Sequence, residues 1–153
     1  MFGFHGDRDE GLTMLHESFK AQTVGSPISC ITLLVYYVNI APHIGDERPS
    51  NGVQAEELLQ WSLEKYPKGF LFHYMKSRWL RSQRELQQAI EVMKEGRSFL
   101  PPDLVAFEKL SDYQEAWCHF LVMEWKQAAT CFQRILEEDR TLKEKSNFNV
   151  SES

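Results

Sequence analysis

The chain has 153 residues, enough for one hydrophobic core of ordinary size, with 42% hydrophobic residues, 25% charged residues and a net charge of −5. That balance excludes a strongly basic nucleic-acid binder, whose phosphate contacts need a lysine- and arginine-rich stripe. Three cysteines, Cys30, Cys118 and Cys131, lie in apolar surroundings without a CxxC pair, so neither a disulfide framework nor a zinc-finger spacing is expected, and a reducing, cytoplasmic setting is.

Met1–Gly6 is too short and lacks the basic start of a secretory signal. Asp7, followed by Glu10, has the form of a helix N-terminal box. The helix it opens, residues 11–22, places Leu12, Leu15 and Phe19 on one face. Gly25 should close that helix, with Ser26 as N-cap and Pro27 in the first turn of the next. Residues Ile28–Ala41 form the most apolar run and predict a central helix, too short and too often interrupted by polar side chains to span a bilayer.

Pro42–Gly52, with two prolines and two glycines, predicts a loop. A third helix over roughly Val53–Tyr66 is stopped by Tyr66, Pro67 and Gly69. Phe70–Arg81 and Glu85–Phe99 then read as a pair of helices, with Ser82 and Glu85 spaced as a capping box for the second. Pro101 and Pro102 break the pattern. Helices over roughly Leu104–Val122 and from about Trp125 to Glu138 complete the series, and the polar residues beyond Asp139 predict a disordered tail.

The last four helices repeat. With Phe70 as position one of a helix–turn–helix unit, Ser77, Leu80, Ala89, Met93, Gly96 and Pro101 fall at positions 8, 11, 20, 24, 27 and 32. These are the small, large, small and proline positions of a tetratricopeptide unit, where small side chains let paired helices touch. A degenerate second copy begins at Lys109, with Ala116, Ala128 and Phe132 in register, and Ala128 follows Ala89 by 39 residues. The expectation is an all-α chain of about seven helices, stacked as antiparallel hairpins of a tetratricopeptide-like α-solenoid. Its parts are residues 1–66 as N-terminal helices, 67–140 as two hairpins and 141–153 as the polar tail.

Several segments together resemble one family. The stretch Gly3–Leu12 (GFHGDRDEGL) is similar to the GFxGDRxxGL motif of the tetratricopeptide repeat protein 39 family. The apolar helix ending at Pro42, the segment KYPKGFLF over 65–72, and the pairing of Trp117-Cys118 with Trp125 to Ala128 resemble it as well. The resemblance covers roughly Phe2–Arg140 and implies a slice of a longer repeat array. It also implies a non-enzymatic adaptor, in a family related to yeast inclusion-body-clearance proteins near the mitochondrial outer membrane and linked to protein turnover, lipid metabolism or cilium assembly.

In stacked hairpins the first helix of each unit lines the concave face. Tyr74, Arg78, Arg81, Tyr113 and Trp117 occupy that face here and are the candidate partner-binding residues, because aromatics and arginines anchor partner peptides. The competing reading packs Tyr74, Tyr113 and Trp117 into the core between units. Cys118 and His119 are adjacent, so on a helix they point about 100° apart and make no nucleophile–base pair. Five histidines show no HxxxH spacing. No catalytic residue, metal ligand or cofactor is therefore expected, and the partners are other proteins rather than nucleic acid. The alternative is a factor at an organelle membrane surface, acting through the apolar helix Ile28–Ala41.

Overall fold

A computed structural model describes residues 7–46, 48–101 and 103–137. The expected tail over 141–153 and the first four residues of the GFHGDR motif lie outside them. Within them the chain is all-α, and no strand occurs. The helices are α1 (Arg8–Lys20), α2 (Ser26–Val35), α3 (Ala41–His43), α4 (Pro49–Lys65), α5 (Phe70–Ser82), α6 (Leu86–Ser98) and α7 (Val105–Leu121), followed by α8 over residues 125–137. A π-helical segment, Tyr36–Ile40, joins α2 to α3, so the described residues form seven continuous rods.

The chain divides into two compact units, Met1–Met75 and Lys76–Ser153, and the division falls inside α5 rather than in the loop at 66–69. The first half of α5 explains the placement. Phe70, Phe72, Tyr74 and Met75 are all buried, and Phe72 stacks on Tyr66 with ring centroids 5.6 Å apart.

The first unit is built on the apolar rod α2–π–α3, which buries Cys30, Leu33, Leu34, Tyr36, Tyr37, Val38 and Ala41 against neighbouring helices. Asp7 caps α1 as the sequence predicts, its Oδ1 accepting from the N–H groups of Asp9 and Glu10 at 2.9 and 3.2 Å. Ser26 does not cap α2. Its hydroxyl donates instead to the Ser18 carbonyl at 3.3 Å, and Gly25 takes the N-cap position without a side-chain bond.

The predicted loop over Pro42–Gly52 is much shorter, because the chain stays helical to His43 and resumes at Pro49. A proline inside a helix lacks an N–H and crowds the carbonyl four residues back. The widened π turn, in which Ala41 N–H reaches the Tyr36 carbonyl, makes room for Pro42 and lets three consecutive residues, Tyr36, Tyr37 and Val38, all be buried. Pro49 sits at the first helical position, where its missing N–H costs nothing.

The second unit begins with the repeat's own contact positions. Ser77 Oγ donates to the Ala89 carbonyl at 2.7 Å, so α5 and α6 touch where both side chains are small. Ser77 in turn accepts from Gln114 Nε2 at 3.2 Å, which ties α7 to the same point. Leu80, Ala89, Ile90 and Cys118 form the apolar cluster beside it, and Met93 and Gly96 are buried too. Late α5 meets early α6, so the pair is antiparallel. The Phe120–Trp125 and Tyr113–Phe132 ring contacts show the same arrangement for α7 and α8.

Each hairpin turns on a non-glycine residue in the left-handed region, Arg84 at φ 66° and Met123 at φ 65°. The turns match bond for bond: Glu85 N–H reaches the Leu80 carbonyl and Glu124 N–H reaches the His119 carbonyl, both at 2.9 Å. These six-residue closures are Schellman caps. The capping box expected of Ser82 and Glu85 does not form, because Ser82 Oγ bonds back to the Trp79 carbonyl at 2.7 Å.

Candidate functional site

α5 and α7 each present a polar or aromatic stripe at helical spacing, and the second unit brings the two stripes together. Arg78 and Arg81, one turn apart on α5, face Tyr113, Trp117 and Leu121, each one turn apart on α7, around a groove of about 390 Å3. Four of the five sequence-predicted residues thus line one surface. Tyr74 does not. It is buried in the first unit, stacked on Phe70 at 6.2 Å, so Tyr74 and Tyr113, separated by the same offset as Ala89 and Ala128, sit in different environments.

Periodicity did not single out the aromatic edge that continues the groove. Trp117 packs edge-on against Phe120 at 5.6 Å, and Phe120 against Trp125 at 5.3 Å. Phe120, Leu121 and Trp125 are all exposed. Reading α7 every third and fourth residue from Tyr113 would have found Trp117, Phe120 and Leu121 as one stripe. Guanidinium groups beside exposed rings form a surface suited to a carboxylate and an apolar side chain on the same ligand.

The other faces of α7 are buried and polar. Asp112, fully buried, accepts from Arg97 at 2.5 Å and from Arg134 at 2.8 Å. Glu115, on the same side, is buried with Oε1 accepting no hydrogen bond, and burial raises its pKa above the usual carboxylate value. His119 is also buried, its Nδ1 2.6 Å from Oε2 of Glu124 in the α7–α8 turn. Cys131 of α8 completes the group: ligand atoms of Glu115, His119 and Cys131 lie within 4.8 Å of one another. A search for HxxxH passes over this set, whereas Glu115 and His119 at i and i+4 are an equally good one-face pair.

Cys118 and His119 do point apart. Cys118 turns inward, where Gln114 Nε2 approaches its sulfur at 3.8 Å and burial pushes its thiol up to about 11. Cys30 is pushed up to about 12 for the same reason. Both are poor nucleophiles.

The first unit has its own cavity, about 200 Å3, lined by Asp9, Thr13, His16, Tyr37, Arg48 and Gln54 among others. Its charged and ring groups already have partners. Arg48 pairs with Asp9 at 3.4 Å and with Asp46 at 2.8 Å, and His16 Nε2 lies 2.8 Å from the Tyr37 hydroxyl.

The model of the Iml2/Tetratricopeptide repeat protein 39 family matches residues 1–143. Inclusion body clearance protein IML2 of Pyricularia oryzae is 26% identical over 153 aligned residues, covering 90% of this chain and 18% of the relative. The chain therefore spans under a fifth of that curated relative's length. No solved structure matches it. By the family match, the chain belongs to the Iml2/Tetratricopeptide repeat protein 39 family.

Proposed function

We propose that the chain, as a member of this family, is a non-enzymatic adaptor that holds partner proteins in the groove between α5 and α7. The observation that carries the reading is the pairing of Arg78 and Arg81 with Tyr113, Trp117 and Leu121 around one open groove. The partner is a protein segment bearing a carboxylate next to an aromatic or aliphatic side chain. The arginines orient the carboxylate and the rings supply the apolar contact.

Cys30 and Cys118 are buried and hard to ionise, and His16 and His119 are engaged with Tyr37 and Glu124, which supports a role without catalysis. Three free, buried cysteines support a reducing, cytoplasmic setting. No described helix is long and apolar enough to cross a membrane. Most of the apolar residues through which Ile28–Ala41 would meet lipid are buried in its own unit's core, although Ile28 and Ile40 are exposed. Among the processes implied by resemblance, the relative's name favours protein turnover, in the form of inclusion-body clearance.

The test is affinity capture with the full chain followed by mass spectrometry, repeated with R78A/R81A and with W117A. Both variants should lose the same partners, and W117A should weaken a purified partner by about 2 kcal/mol or roughly 30-fold. An unchanged partner set in both variants would overturn the assignment of this groove.

A further inference from the structure

We propose that Glu115, His119 and Cys131 form a binding site for a divalent transition-metal ion of the zinc class, clamping α7 to α8. The three residues offer one carboxylate oxygen, one ring nitrogen and one sulfur, and all three are buried. This mixed donor set suits zinc better than magnesium or calcium, which select oxygen ligands.

Three features point to a metal rather than to ordinary buried polarity. First, the ligand atoms already lie within 4.8 Å of one another. A tetrahedral ion with bonds of about 2.0–2.3 Å needs them about 3.3–3.8 Å apart, a contraction that side-chain rotation supplies. Second, Glu115 Oε1 is buried with no hydrogen bond of its own, an acceptor that a cation would satisfy. Third, His119 Nδ1 is engaged by Glu124 at 2.6 Å, which leaves the lone pair on Nε2. A carboxylate behind a histidine is the outer support that metal-bound imidazoles use.

Arg134 Nη2 lies 3.1 Å from Cys131 Sγ. It favours the thiolate but would lie close to a bound cation. Its side chain is 41% exposed and is also held by Asp112 at 2.8 Å, so it can keep the Asp112 contact and withdraw from the sulfur. Binding converts the Cys131 thiol to a thiolate and releases that proton to solvent. Three protein ligands leave the fourth tetrahedral position for water. This site lies on the buried side of α7, away from the exposed stripe of Tyr113, Trp117 and Leu121, and does not depend on the adaptor reading.

The experiment is cobalt titration of the full, tag-free chain after chelator treatment, followed by zinc competition. One equivalent of cobalt should bind with a thiolate charge-transfer band, zinc should displace it, and zinc should raise the thermal midpoint. C131S should abolish the band, E115Q and H119A should each weaken zinc by at least about tenfold, and E124Q by about tenfold through loss of outer support. C30S and C118S should leave the band intact. Circular dichroism of each variant separates ligand loss from unfolding, and the near-isosteric E115Q carries the test if C131S fails to fold. A band that survives C131S, zinc affinity unchanged in E115Q, or no cobalt or zinc bound at micromolar concentration would overturn the site.

Discussion

Asp46 sits where three segments of the first unit meet: Tyr36 donates its hydroxyl at 2.5 Å, Arg48 a guanidinium N–H at 2.8 Å, and Arg8 of α1 lies 3.6 Å away. The Arg48 hydrogen bond, then that of Tyr36, holds its carboxyl well below the usual carboxylate range. A depressed folded value stabilises the protein above the unfolded value of about 3.9 and loses that effect as pH falls toward the folded one. The stability difference between the wild type and D46N should therefore be full at neutral pH and shrink between about pH 5 and about pH 2, as followed by denaturation midpoints across pH. In the second unit, Asp112 is fully buried between two arginines that keep partial access to water. Replacing it by Asn should cost about 2–3 kcal/mol in urea unfolding. Arg134→Ala should cost less, because Arg97 remains. At Asp7 the cap is doubly bonded, and Asp7→Ala should cost about 1 kcal/mol.

Elements were legible in the sequence wherever the deciding interaction was local. The Asp7 cap is legible because it needs only the next three residues, and the spacing of Ser77, Ala89, Ala116 and Ala128 is legible because all four are small and buried, Ser77 and Ala89 where α5 touches α6. Ser26 and Ser82 carry the same local signature and failed as caps. Their hydroxyls went to the carbonyls of Ser18 and Trp79, and for Ser26 that competitor comes from another helix. Pro42 misled for a related reason, since a π turn rather than a chain break accommodates it. The turn residues Arg84 and Met123 were invisible because neither is a type that favours positive φ. Both adopt the left-handed region only because the Schellman bonds around them require it. Replacing either by Gly should relieve that strain and gain about 0.5–1 kcal/mol, measured as a higher denaturant midpoint with unchanged slope. A loss of stability in both variants would mean that their side chains contribute more than their backbone strain costs.

At the scale of the whole chain, the site was half legible. Helical period placed Arg78, Arg81, Tyr113 and Trp117 on facing stripes, but burial of Tyr74 depends on which unit each half of α5 joins, and no spacing rule states that. The same division makes a physical prediction. The buried contacts described for the second unit, from Ser77 and Leu80 through Ala89 and Gln114 to Cys131, all lie at or beyond Ser77, so a fragment of residues 69–153 carries every one of them. Hairpins rich in such short-range contacts fold with little loop-closure cost and rest mainly on neighbouring helices. The fragment should thus be helical and unfold cooperatively on heating, and E115Q or W117A should shift its behaviour as they do in the full chain. Its weakness is the first turn and a half of α5, where Phe70, Phe72, Tyr74 and Met75 are buried in the full chain and Phe72 would lose its stacking partner Tyr66. Concentration-dependent association is expected from that face, and F70S/F72S should suppress it without lowering helicity. A fragment that shows no sigmoidal transition even with those serines would mean that the hairpins draw their stability from residues before Gly69.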